Sequence, residues 1–195
     1  ETTEEDVYDY CQDFMKKNDM VGSWESTCCP LVHAGARSNQ GLVHAGRNPI
    51  KPGDTFHLSF GAKQKGYATD FQRVWYVFDE GEKTIPAEVQ HAFDTIRGAF
   101  ETIRTTVRPG FEGRMVDAMA RKAMADGGFA YGGGCGHAVG MALHDGCFQL
   151  CADSKVLGDL SERKLEAGNV FTLEFFCPTS QVHMRYTIYD SSLDI

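Results

Sequence analysis

The sequence predicts an α+β fold in which two related αβ halves share one central sheet. The first observation behind this is an internal repeat. IKPGDTFHLSFG (50–61) and LEAGNVFTLEFF (165–176) both read apolar, x, x, Gly, Asp or Asn, x, Phe, x, Leu, x, Phe. The second is that each copy follows helical sequence and leads through a turn into another strand. The third is length: 195 residues suffice for one good-sized domain with its own core, so no disulfide framework is required.

Each element follows in order. Thr2 and Glu5 stand at capping-box spacing, and Val7, Tyr10, Cys11 and Phe14 recur on one face, so a short amphipathic helix opens the chain. Gly22 to Pro49, punctuated by Gly, Ser, Cys and Pro, reads as strand fragments and loops, with His33 and His44 inside it. DTFHLSFGAKQKGYATDF (54–71) is a strand, a Gly-bearing turn and a second strand that delivers Asp70. It runs on into RVWYVF, whose aromatic and β-branched residues fit a buried strand. Pro86 suits a first helical position, and Val89, Phe93, Ile96, Phe100, Ile103 and Val107 step by three and four, which predicts a long core helix. The RPG at 108–110 breaks it before a second helix from about Glu112 to Ala125, and YGGGCGHAVGMALHD opens a β-rich remainder.

Composition narrows the function. Apolar residues make up 42% and charged residues 24%, and no apolar run reaches membrane-spanning length. The net charge of -8, with Lys and Arg scattered, disfavours binding to a phosphate backbone. Neither nucleic acid nor membrane is an expected partner. Seven cysteines at irregular spacing fit reduced thiols in a cytoplasmic protein better than a secreted disulfide scaffold.

Four side chains stand out as candidates for chemistry. His137 and His144 lie in GCGHAVGMALHDG, where small residues let the backbone approach closely and leave access open. Glu174 sits between Leu173 and Phe175 in an apolar strand, and a buried carboxylate there needs a partner. Asp70 ends the first hairpin. In the repeat, position 174 corresponds to position 59, so Ser59 stands where its counterpart holds a carboxylate. His33, His57, His91 and His183 read as structural or exposed. Cys135 reads the same way, with an outside role as nucleophile because it lies two residues before His137.

Two αβ halves, a GD hairpin ending in Asp, a G-H-x-x-G-x-x-x-H-D segment and a late strand with Glu together resemble the pita-bread family. Its members include methionine aminopeptidase, aminopeptidase P, prolidase and creatinase. The resemblance runs from about Thr3 to Ile188. It implies two pseudo-symmetric αβ halves around a curved, mostly antiparallel sheet. It also implies one domain over residues 1–195, without the family's N-terminal lobe and with truncated ends, as expected of a fragment.

In metal-dependent members five side chains hold two divalent ions. The matching positions here are Ser59 in LSFG, Asp70, His137, Glu174 in TLEFF and Thr187 in RYT, so three ligands remain. Two divalent ions bring four positive charges, and two carboxylates with neutral Ser and Thr hydroxyls are a poor match for them. The resemblance therefore implies no cofactor, or at most one divalent ion (Mn, Zn or Co) held by Asp70, His137 and Glu174. Creatinase, the family's metal-independent member, lacks the same two positions and uses a loop histidine as acid and base. By that likeness His44, His137 and His144 are the expected catalytic residues, and Asp70 and Glu174 bind the substrate.

The function expected is hydrolysis of an amide or other C–N bond in a small molecule or short peptide, without metal in the creatinase manner. Two alternatives stand beside it. One is a catalytically inactive pita-bread domain that binds a peptide or protein partner, and the other is a mononuclear-metal Xaa-Pro peptidase. The resemblance is also compatible with a homodimer.

Overall fold

The structure, a computed structural model, describes residues 1–38, 41–130, 132–152, 158–178 and 183–187. Helix α1 spans Glu4–Lys17. Its capping box is built on Thr3, not Thr2: the Thr3 hydroxyl accepts from Asp6 N at 3.2 Å, and the Asp6 carboxylate accepts from Thr3 N at 2.7 Å. Thr2 is held outside the helix because its carbonyl accepts from Ile50 N at 2.9 Å. The buried face moves with the start. It is Glu4, Tyr8, Cys11 and Met15, whereas the expected Tyr10 and Phe14 are 71% and 46% exposed.

The first half is a set of short antiparallel strands: β1 (Val21–Gly22), β2 (Leu31–Ala34), β3 (Thr55–Phe60), β4 (Ala62–Gln64), β5 (Tyr67–Ala68) and β6 (Phe71–Tyr76). β2, β3 and β6 form one sheet, and β1, β4 and β5 a smaller one. Register in the larger sheet aligns Leu31, Ser59 and Gln72 in one row and His33, His57 and Val74 in another two residues away. Side chains alternate along a strand, so both rows project from the same face. The end of RVWYVF is not the buried strand its composition predicts, since Trp75 and Phe78 are each 46% exposed. Trp75 instead stacks on Phe56 across the strand pair at 5.3 Å, on the opposite face, where Phe56 packs toward Tyr8, Val32 and Ala45.

Helices α2 (Ala87–Thr106) and α3 (Gly113–Asp126) form where the spacing predicts, with Pro86 as the N-cap one residue ahead of α2 rather than its first helical residue, and they pack on each other. Val89, Ile96, Phe100 and Ile103 of α2 join Val116, Ala120 and Met124 of α3 in the main core, with Phe171, Leu173 and Phe175 of the second half. That half adds β7 (Gly136–His137) paired with β8 (Gln149–Leu150), and β9 (Glu174–Pro178) paired with β10 (His183–Thr187). β10 lies alongside β6, which brings the hairpins of the two halves together.

The repeat is a repeat of geometry. Gly53 and Gly168 both take the left-handed conformation, at φ +85° and +84°. The next residue closes the same side-chain turn in each copy: Asp54 accepts from Lys51 N at 2.8 Å, and Asn169 accepts from Glu166 N at 2.9 Å. The seven cysteines are free thiols. Among the described residues no helix is long and apolar enough to cross a membrane.

Candidate active site

The Gly-rich segment before His137 is laid down against the strand that carries Glu174. Glu174 N donates to Cys135 O at 2.7 Å, Thr172 N donates to His137 O at 2.8 Å, and His137 N donates to the Thr172 hydroxyl at 3.0 Å. The approach is so close that a Cβ on Gly136 would stand 1.9 Å from the Thr172 carbonyl oxygen. This pairing fixes His137 and Glu174 side by side. Asp70 arrives from the other half, in the step between β5 and β6.

Three groups converge. His137 Nε2 lies 3.0 Å from Glu174 Oε1 and 3.3 Å from Asp70 Oδ2, while its Nδ1 faces the Ala138 carbonyl at 3.1 Å. The Thr172 hydroxyl donates to Glu174 Oε1 at 2.9 Å, and the Gln72 amide donates to Glu174 Oε2 at 3.4 Å. Burial alone would lower the His137 pKa, but hydrogen bonds to Asp70 and Glu174 and the charge of Glu174 outweigh it and push it up to about 10. Asp70 is raised chiefly by burial, against the pull of its bond to His137. His144, whose ring centroid is 4.2 Å from that of His137, is lowered by burial and by the neighbouring His137 charge.

These groups line a cavity of about 540 Å³ together with Ser59, Gln72 and an apolar wall that includes Trp24, Leu31 and Leu143. The Glu174 side chain keeps 32% of its surface exposed, against 10% for Asp70 and for His137, so it is the carboxylate more open to the cavity. The structure thus brings together Ser59, Asp70, His137, His144 and Glu174. Register places Thr187 opposite Glu174 in the β9–β10 pair, and its side chain lies outside the described part of the structure.

His44 is not brought in. Its exposed ring packs against Tyr8 of α1 at 4.5 Å, its Nδ1 lies 2.9 Å from the Ala45 carbonyl, and it is not among the described residues that line the cavity. Cys135 is fully buried, and burial followed by the neighbouring Asp117 charge raises its thiol well above the ordinary range, which disfavours a thiolate nucleophile. Sequence reasoning missed Gln72 and Thr172, which touch Glu174. The available signal was strand alternation, since both lie two residues from a candidate carboxylate, at 70 and 174.

Asp70, His137 and Glu174 each offer a ligand atom, and those atoms lie within 4.8 Å of one another. One imidazole nitrogen and two carboxylate oxygens fit a single divalent ion with open positions. A second ion is poorly matched: Ser59 is a neutral hydroxyl, and Glu174 Oε2 already accepts the Gln72 amide.

Residues 1–190 match the family model of Metallopeptidase family M24. The uncharacterized peptidase YqhT of Bacillus subtilis is 28% identical over 155 residues, covering 78% of this chain and 40% of the relative. A Xaa-Pro dipeptidase of Lactobacillus delbrueckii subsp. lactis is 25% identical over 156 residues, covering 78% and 39%. The chain therefore spans about two fifths of the length of these curated relatives. Among solved structures, an X-Pro aminopeptidase from Thermotoga maritima superposes with a TM-score of 0.78 at 22% identity, over 95% of this chain and 49% of that one. A dipeptidase from Pyrococcus horikoshii gives 0.78 at 21%, over 98% and 50%. The family match covers nearly the whole sequence and the architecture is the one these structures share, so the chain belongs to Metallopeptidase family M24 and has its pita-bread fold.

Proposed function

We propose that this chain forms the catalytic part of a peptidase that hydrolyses an amide C–N bond in a short peptide of the Xaa-Pro type, with at most one divalent ion. The observation that carries the reading is the convergence of Asp70, His137 and Glu174 beside His144 on the wall of one cavity. The substrate class is taken from the names of the relatives, a Xaa-Pro dipeptidase and an X-Pro aminopeptidase.

Asp70, His137 and Glu174 would hold the ion, which when bound polarises a carbonyl and acidifies water. Trp24, Leu31 and Leu143 provide an apolar wall that receives the ring of a proline-like residue and excludes bulk water from the scissile bond. Glu174, the more open carboxylate, faces the substrate and accepts its ammonium or an amide N–H. His144, at the cavity wall, is the group that delivers a proton to the leaving nitrogen in this reading. The role first expected of His44 passes to His144, because the loop histidine is committed to Tyr8.

A second, creatinase-like reading is favoured by one contact. Both ring nitrogens of His137 face acceptors, so an imidazolium would bridge the two carboxylates when no ion is held. Elemental analysis of protein purified without chelator, run with a screen of Xaa-Pro dipeptides and small ureas and amidines, separates the readings. One equivalent of metal with dipeptide turnover supports the peptidase. No metal with turnover of a small C–N substrate supports the creatinase-like reading. Two equivalents overturn the single-ion assignment, and no turnover of any substrate leaves a binding domain.

A further inference from the structure

Behind Glu174 the sheet carries a line of polar side chains that the proposed reaction does not use. His33, His57 and Gln72 are 5%, 2% and 5% exposed, and they come from three successive strands, β2, β3 and β6. His33 Nδ1 lies 3.1 Å from His57 Nδ1, with the two ring planes parallel to within 8°. His57 Nε2 lies 2.8 Å from Gln72 Oε1, and Gln72 Nε2 lies 3.4 Å from Glu174 Oε2.

The donors and acceptors in this line allow one consistent arrangement with neutral imidazoles. An ionised carboxylate only accepts, so Gln72 must turn its NH2 toward Glu174 and its oxygen toward His57. That oxygen also only accepts, so His57 carries its proton on Nε2. Its Nδ1 is then bare, and His33 must donate from its own Nδ1. A choice made at the carboxylate is thereby transmitted through three side chains to the edge strand. The last link is long, so its formation depends on the amide being held from its other end.

We infer that Gln72 is a positioning residue for Glu174, and that His57, backed by His33, sets which end of the Gln72 amide meets the carboxylate. Without His57 the amide is free to turn its oxygen toward Glu174, which would push the carboxylate out of place. Partners of this outer kind, which orient groups that do the chemistry, change activity by about 10-fold to 100-fold when removed.

The kinetic arm of the test rests on the peptidase reading, and the spectroscopic arm does not. Nitrogen-15 NMR of the imidazoles in the full chain is expected to find the His57 proton on Nε2 and the His33 proton on Nδ1. With a Xaa-Pro dipeptide, Gln72→Met and His57→Phe should each lower kcat by about 10-fold with little change in KM, and the double variant should fall no further than the weaker single. His57→Gln, which keeps an N–H donor, should recover part of the loss. A His57 proton found on Nδ1 overturns the inference, as do single-variant effects that multiply to about 100-fold in the double. If no peptide is cleaved while the NMR pattern is as expected, the peptidase reading fails and the arrangement stands. If a variant fails to fold, the wild-type spectrum still decides.

Discussion

Two histidines that look alike in the sequence separate at the residue scale. His44 and His144 are both loop residues, but only His144 reaches the cavity, next to His137. Replacing His144 with Gln is expected to lower turnover of a cleavable peptide by about 10²-fold to 10⁴-fold, whereas His44→Gln should leave it nearly unchanged. Steady-state kinetics on the two variants checks this, and equal losses would return His44 to the mechanism.

A pH dependence belongs at this scale as well. His137 in chelated protein has a folded pKa of about 10, above its ordinary 6.5, so the folded state binds the proton more tightly. The stability this contributes is fully present below about pH 6.5 and is lost as pH rises toward 10. Asp70, also raised, acts in the same sense at lower pH. The urea midpoint of the chelated protein should therefore fall between those values, and His137→Gln should flatten the slope.

Asp70, His137 and Glu174 were legible because each stands in an unusual local setting. The setting of His44 was not legible, because whether a loop ring meets a cavity or the Tyr8 ring depends on how α1 docks, and no periodicity encodes that.

At the scale of elements, the helices were read best where their apolar spacing is long. Val89 through Ile103 fix the face of α2 over several turns, and the core forms there as expected. Helix α1 is short, and two adjacent threonines offer competing caps, so a shift of one residue moved the whole buried face. Thr3→Ala should cost about 1 kcal/mol in a denaturant titration and Thr2→Ala much less. A larger loss at Thr2 would contradict the observed capping box. For the strand after Asp70, aromatic content announced β structure but not which face would be covered. The exposure of Trp75 and Phe78 follows from what packs behind the sheet, which the strand's own sequence does not specify.

For the whole molecule, the two halves meet at the cavity, and the sequence reading sets neutral residues at two of the expected ligand positions, one from each half. Ser59 comes from the first copy of the repeat, and Thr187 stands opposite Glu174 on the last strand pair. The double variant Ser59→Asp with Thr187→Glu should raise bound manganese from at most one equivalent toward two, measured by elemental analysis after dialysis. No increase would mean that Gln72 and its neighbours, not missing charge, exclude the second ion. The fold was legible at this scale because the repeat names both halves at once. The line of His33, His57 and Gln72 was not, because it crosses three strands whose register only the assembled sheet supplies.

The paired turns at Gly53 and Gly168 bear on how this scaffold changes over time. The same left-handed glycine and the same side-chain clasp stand ahead of both strands, six residues before positions 59 and 174. Where each strand runs is thus settled upstream of what it presents. A lineage can exchange serine for carboxylate at such a position without redrawing the backbone, so chemistry drifts while architecture stays still.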